Sequence, residues 1–485
     1  MEARRQALLT SPWLGIPLRD KSPHHELTHD PIRIMTRKRK KPNPGEKPAM
    51  QLGWRTPDRK RPMGFHAEAA DSEEEKKTSG EGEREPVFLY GDEGHFTTFA
   101  ITGGGKGRNV IMPVLLDKKI RGQVLAIDPK GELTLVTARA RGEIGRVIKM
   151  DPFGEVTEAP DCLNPFDAFD LLDGSTEEKA MNLTELLMTD QGTSTKEPFW
   201  DDMARVLISA LITFIAVHLP PEERHLGTLR KYLCEGDVAY DLAILMDKFP
   251  SMTPMAKAGI GQVLQTADVT RAGIVTSAQR YLRILADPLV QASFRKTTFD
   301  LQAYIGGECM TIYLILPAKR LSSHATMLRI WIATLMNLLL ERKERPAQPT
   351  LFLIDEAAQL GKLEMLRVAI TLLRSYGLRV WTFWQDLSQI KQLYPVGWQT
   401  IINNSSVIQC FSLRKALQAK EMAQILGNIS AQEIQTLPPH QQVLWIDGEL
   451  VIADKLDYLV DEQYQGLYDP NPLYAKENAK KLLGK

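Results

Sequence analysis

A lysine closing a glycine run and two adjacent acids closing an apolar run are the residues here best suited to chemistry. Thr102-Gly103-Gly104-Gly105-Lys106-Gly107 follows an apolar stretch at 96–101 and precedes Val110, Ile111, Val114 and Leu115. That order reads as strand, glycine loop, helix. Glycines take backbone dihedrals closed to other residues, so successive N–H groups can converge on phosphate oxygens. The helix start adds partial positive charge. Lys106 supplies a point charge for the β- and γ-phosphates of a nucleotide, and Arg108 completes the set of loop residues able to meet it. The fit to G-x-x-x-x-G-K-[ST] is incomplete: Ala100 stands at the first glycine and Gly107 at the hydroxyl residue that would bind Mg2+. Alone, the loop also suits a purely structural turn.

The acids follow Leu351-Phe352-Leu353-Ile354 as Asp355-Glu356. Carboxylates at the carboxyl end of a buried strand lie where open α/β sheets bind ligands. Asp355 can hold Mg2+, directly or through water, and Glu356 can polarise an attacking water as a general base. The plainer alternative is a strand-to-helix turn capped by Asp355. A third apolar run, 378–384, ends at Gln385, an amide able to position the water or sense the γ-phosphate. Arg374 precedes that run. Phosphoryl transfer gains from an arginine given by a neighbouring subunit, but a lone helical arginine is more often a surface charge.

These residues need a sheet to hold them. Short β-branched or apolar runs at 96–101, 123–127, 147–150, 310–316, 350–354, 378–383, 407–411 and 443–446 predict strands, several apolar throughout as strands covered on both faces are. Helical patterns between them predict βαβ units and a mainly parallel sheet. From about 184 to 294 only helical periodicity occurs, at 200–218, 238–248, 254–266 and 272–285, which predicts an all-α domain inserted into the α/β one. The stripe on 325–344 is core-facing, and Trp381 and Trp384 read as core packing.

Composition fits this. The chain has 485 residues, 43% hydrophobic and 25% charged, with 60 Lys+Arg against 60 Asp+Glu, which excludes collagen-like and wholly disordered classes. A net charge of zero leaves nucleic-acid contact to local patches. Four scattered cysteines (162, 234, 309, 410) form no Cys-x-x-Cys and suggest a reducing compartment. The longest apolar stretch, 206–217, is broken by Ser209 and Thr213 and falls short of a membrane span; the N-terminus lacks the apolar core of a signal peptide. Residues 33–62 carry eleven Lys/Arg against two acids, and 68–85 carry eight acids against three bases. Residues 1–85 therefore read as a disordered charged tail, with an electrostatic arm for nucleic acid, anionic lipid or an acidic partner as the functional alternative. His25-Glu26-Leu27-Thr28-His29 matches a zinc-protease pattern, but between Pro23 and Pro31 and without a third ligand it reads as coincidence, so no zinc is expected.

In order along the chain, these segments resemble the conjugative coupling ATPases of type IV secretion systems. The resemblance rests on Thr102–Gly107 continued by Asn109-Val110-Ile111-Met112-Pro113, on Asp128-Pro129-Lys130-Gly131-Glu132, on Asp151-Pro152-Phe153-Gly154, on Asn164-Pro165 and on Phe199-Trp200-Asp201. Its most specific parts are LIDEAAQLGKL at 353–363 and YGLRVWTFWQDLSQ at 376–389. It implies a RecA-like P-loop NTPase fold at 86–183 and 296–460, an all-α insert at 184–295 and a C-terminal tail at 461–485. It implies ATP and Mg2+ as cofactors and a ring of six with hydrolysis at subunit interfaces. In that frame Lys106 binds phosphate, Asp355 and Glu356 serve Mg2+ and base roles, Gln385 is the sensor and Arg374 acts in trans. Implied partners are a relaxase–DNA complex or secreted protein and the secretion channel. The family usually begins with transmembrane helices; this sequence instead predicts a cytoplasmic protein, brought to the inner membrane by a partner or by its basic segment, or a soluble offshoot with altered substrate use. Two rival readings are a soluble double-stranded-DNA pump and a non-enzymatic docking adaptor on the same fold.

Overall fold

Runs of β-branched and aromatic residues with both faces apolar build the centre of the molecule. The computed structural model describes residues 48–56, 84–90, 94–188, 198–446 and 448–471. Its strands are β1 (Pro48–Arg55), β2 (Pro86–Tyr90), β3 (His95–Phe99), β4 (Val124–Asp128), β5 (Arg146–Met150), β6 (Met310–Ile315), β7 (Thr350–Ile354), β8 (Leu378–Trp384), β9 (Ser405–Cys410), β10 (Gln441–Ile446) and β11 (Glu449–Asp454). They form one sheet in the order β2-β1-β11-β10-β9-β3-β8-β7-β4-β6-β5. From β9 to β5 every pairing is parallel, and from β9 through β10 to β2 every pairing is antiparallel. The sheet is thus mainly parallel, the arrangement of a RecA-like α/β fold.

Every residue of β3, β4, β6, β7 and β8 is buried. Side chains alternate between two cores, as the two-residue period of a strand requires. Leu125, Ile127, Phe352 and Ile354 join the core beneath Leu321–Leu340 and the helical block; Val124, Ala126, Leu351 and Leu353 join the core beneath the helices that follow β3 and β4.

Between β5 and β6 the described residues hold helices alone, from Pro165–Ala168 to Leu301–Gly306. The long apolar helix Pro198–His218 is the hub, packed by Thr176–Met188, Pro254–Leu264 and Asp268–Tyr281. The approach to Pro254–Leu264 is close enough that a Cβ on Gly259 would stand 2.7 Å from that of Ala210. The expected insert boundary at 183/184 falls inside Thr176–Met188, because that helix shares its apolar face with both sides.

One tail expectation needs correction. Residues 48–55, assigned to the disordered 1–85 segment, form β1, antiparallel to β2 and β11. Flanking charge hides a short period-two pattern that buries Met50 and Leu52. Residues 1–47 and 57–83 of that segment, with the basic run before β1 and the His25/His29 pattern, lie outside the described residues. At the other end, the described part of the C-terminal tail, residues 461–471, is packed: Tyr464 and Asn471 are buried, and the Asp469 N–H donates to the Val136 carbonyl. Among the described residues no helix is long and apolar enough to cross a membrane.

Candidate nucleotide site

The chain leaves β3 through Ala100, whose N–H donates to the Trp384 carbonyl at 2.9 Å and so ties the loop's entry to the end of β8. The Gly104 N–H closes a turn on the Ile101 carbonyl at 2.9 Å. Gly103 (φ 75°) and Gly105 (φ 90°) are left-handed, while Lys106 is right-handed at φ −48°. Alternation of this kind turns successive amides to one side as an anion-binding nest. A Cβ on Gly105 would lie 2.2 Å from Asn109 Oδ1, so this position takes only glycine. Lys106 opens a helix whose first turn is widened: the Met112 N–H reaches back to the Gly107 carbonyl, five residues away, before the regular turn Met112–Leu116. Such widened turns concentrate at functional sites.

One strand, β8, separates β3 from β7. Two inter-strand spacings amount to about 10 Å, within reach of a lysine side chain. Lys106 Nζ lies 2.8 Å from Glu356 Oε1 and 3.7 Å from Asp355 Oδ1. The lysine is 7% exposed. Burial pushes the Asp355 carboxyl above its ordinary range; Lys106 works against that shift and neighbouring Glu356 adds to it. Glu356 occupies the left-handed region at φ 53°, ψ 47°, with its N–H donating to Asp355 Oδ1 at 3.0 Å. A side chain in that conformation costs about 1 kcal/mol or more, and strain of this sort gathers at functional sites.

Gln385 follows the last residue of β8. Phe99 pairs with Trp384 and Ile354 with Thr382, so Gln385 emerges at the same carboxyl edge as the glycine loop and the acids. Its N–H donates to Gln389 Oε1. Arg374 lies elsewhere. It precedes the start of β8, exposed, beside His95 at the opposite edge. The seven residues of β8 separate the edges by roughly 20 Å, too far for Arg374 to reach its own Lys106. Arg108 is forked onto Asp457 at 2.8 and 2.5 Å, so its guanidinium fastens the loop helix to the segment after β11.

That segment was not legible from motifs. Lys455 Nζ donates to the Gly104 carbonyl at 3.4 Å, and Asn109 Nδ2 donates to the Leu456 carbonyl at 2.6 Å. Other landmarks prove architectural. Asp128 accepts from the N–H and hydroxyl of Thr134, both at 2.8 Å, and burial raises its pKa to about 6. Asp151 accepts from the N–H groups of Glu155, Val156 and Thr157, and Asn164 Nδ2 donates to the Arg224 carbonyl. Among the described residues no group of three or more His, Cys, Asp or Glu side chains converges on a cation position.

A family model described as "Type IV secretory system Conjugative DNA transfer" matches residues 66–443. The "Probable conjugal transfer protein TraG" of Sinorhizobium fredii is 25% identical over 329 residues, covering 66% of this chain and 50% of the relative. The "Type IV secretion system-coupling protein VirD4" of Bartonella quintana is 24% identical over 372 residues, covering 74% and 57%. The chain thus spans about half the length of these curated relatives. Among solved structures, "Plasmid coupling protein TrwB in complex with ADP and Mg2+" superposes with a TM-score of 0.56 at 16% identity, covering 77% of this chain and 88% of that one, a likeness of fold.

Proposed function

Because the chain belongs to the type IV secretory system conjugative DNA transfer family, we propose that it is an ATP-hydrolysing coupling protein that hands a relaxase–DNA complex or protein cargo to a secretion channel. The observation that carries the reading is the convergence of Lys106, Asp355 and Glu356 within 3.7 Å beside the glycine nest.

The residues fit the groups the reaction needs. The loop from Thr102 to Gly107 offers a cradle of amides with a lysine at its end, which suits a polyphosphate. Asp355 is an oxygen donor set back in the site, which suits a hard cation such as Mg2+. When bound, that cation neutralises charge on the transferring phosphoryl group. Glu356 is the general base that orients and deprotonates the attacking water. In the free protein it is held by Lys106, and a γ-phosphate that takes over the lysine frees it for that task. Gln385, on the same edge, positions the water or reads the γ-phosphate. Arg374 serves the neighbouring protomer's site in a ring, since it stands far from its own.

Assembly as a hexamer, action at the cytoplasmic face of the inner membrane through an anchoring partner, and cargo choice by the helical block belong to the same proposal. The test is ATP turnover by the full chain, sized for oligomeric state, with and without single- and double-stranded DNA. Turnover that requires Lys106 and Glu356 supports the reading. Turnover driven by double-stranded DNA alone, without secretion partners, assigns a DNA pump instead. No turnover under any condition leaves a docking adaptor.

A further inference from the structure

We propose that Lys455 is a second cation of the phosphate loop: a positioning residue that holds the Gly104 carbonyl and adds its charge to the polyphosphate site. The inference rests on the nucleotide reading above. Lys455 lies just past β11, some 350 residues from the loop it touches, and its Nζ donates to the Gly104 carbonyl at 3.4 Å. That carbonyl and the Gly105 N–H belong to one peptide group. A cation on the oxygen polarises the amide and makes its N–H a stronger donor to an anion.

The contact is built rather than incidental. The same segment is fastened to the loop helix by Asn109 Nδ2 on the Leu456 carbonyl at 2.6 Å and by the Arg108 fork on Asp457. The Lys455 ammonium also sits 4.1 Å from the ring centre of Phe411, which follows β9 and is itself tied to β3 through its N–H on the Phe99 carbonyl. A ring face attracts a cation and leaves its full charge in place.

No carboxylate neutralises Lys455 among the described residues. Asp457 is engaged by Arg108, Asp454 faces His440 at 3.8 Å, and Lys106 is turned to Glu356. Burial alone lowers its pKa, to about 8. A half-buried ammonium without a counter-charge is costly, and an arriving polyphosphate is the group that relieves it.

The test uses the full chain and Mg-ADP, with dissociation constants from calorimetry between about pH 7 and pH 9. Wild-type affinity is expected to weaken as pH rises past about 8, where the free protein loses the Lys455 proton. Lys455→Met is expected to bind about tenfold more weakly at pH 7 and to show no such decline. Lys455→Arg keeps its charge throughout, so it should bind near the wild-type level at pH 7 and also show no decline. Equal affinity of Lys455→Met and wild type, or the same decline in Lys455→Arg as in wild type, overturns the proposal. Should Lys455→Met fail to fold, the arginine variant decides alone. Absence of ADP binding by the wild type at every pH removes the nucleotide reading itself, a result distinct from the other two.

Discussion

Lys106 Nζ and Glu356 Oε1, 250 residues apart in the chain, meet at 2.8 Å with both side chains largely withdrawn from solvent. The pairing follows from strand order, since β8 alone lies between the strands that carry them. It also sets what each residue does on removal. Lys106→Ala leaves Asp355 and Glu356 side by side without their nearest cation and strips the loop of its point charge, so nucleotide affinity and turnover should both collapse. Glu356→Gln keeps a hydrogen-bonding partner for the lysine but no base, so ADP affinity should stay within a few-fold while turnover falls by about 10²–10⁴. Calorimetry and steady-state ATPase assays on the two variants check this. Wild-type turnover in either rejects the site.

Glu356 makes a separate, thermodynamic prediction. Its left-handed backbone suits glycine far better than any residue with a Cβ. Glu356→Gly and Glu356→Ala both delete the carboxylate and its pairing with Lys106. They differ in backbone cost, so the glycine variant should be the more stable by about 1 kcal/mol. Melting curves for the pair isolate that term. An alanine variant as stable as the glycine one would mean that the turn at 355–356 does not hold this dihedral.

The nest can be probed at two glycines with the same sign of φ and different surroundings. A Cβ at Gly103 meets nothing within 4 Å, whereas one at Gly105 meets Asn109 Oδ1 at 2.2 Å. Asn109 cannot swing aside freely, because its amide holds the Leu456 carbonyl. Gly105→Ala should therefore abolish ADP binding and loosen the 455–457 segment, while Gly103→Ala, whose positive-φ cost of about 1 kcal/mol falls on free and bound protein alike, should lower stability and leave ADP affinity within a few-fold. Titration with ADP, together with hydrogen exchange at 455–457, distinguishes the two.

The site was readable from sequence to the extent that strand period and loop chemistry carried it. Asp355 and Gln385 each close a run in which every residue is buried, and such runs announce a covered parallel strand and its carboxyl end. The glycine loop declares itself by composition. β1, β2 and β11 were not readable, because each is short, only partly buried and set among charges. Lys455 and Asp457 carry no motif for another reason. Their role comes from antiparallel strands that fold the end of the chain back onto the loop, and no local pattern encodes that return. The distance of Arg374 from Lys106 likewise follows only from the sense of β8.

His95 gives a pH signature. Its Nδ1 accepts from the Val380 N–H at 3.0 Å, so the proton sits on Nε2 and is donated to the Ile370 carbonyl, also at 3.0 Å. Burial holds its pKa down at about 4, helped by Arg374 and Arg379 and opposed by the Ile370 bond. Between that value and the ordinary 6.5, the unfolded chain binds the proton and the folded one does not. Its contribution is complete above about pH 6.5 and is lost as pH falls toward 4, up to about 3 kcal/mol. Asp128, raised to about 6, works with the opposite sign in nearly the same window, so the comparison must be with a variant. His95→Asn keeps an acceptor near Val380 and cannot titrate. It should be less stable at pH 7.5 yet lose less on acidification to pH 5 in thermal melts. Parallel wild-type and variant curves would show that His95 is not the group responsible.

Arg374 supplies the sharpest test of assembly. It stands at the amino-terminal edge of β8, and the acids stand at the carboxyl edge of β7. An arginine placed there reaches a phosphate only in another copy. Arg374→Ala should then bind ADP as wild type does and lose turnover by about 10³ or more. Mixed with Lys106→Ala, itself inactive, it should recover activity. In a randomly mixed ring of equal parts, about one interface in four joins an intact Lys106 to an intact Arg374, so turnover per protomer should return to about a quarter of wild type. Activity that stays at the level of the separate variants, in material shown to exchange subunits, would place the arginine outside the reaction.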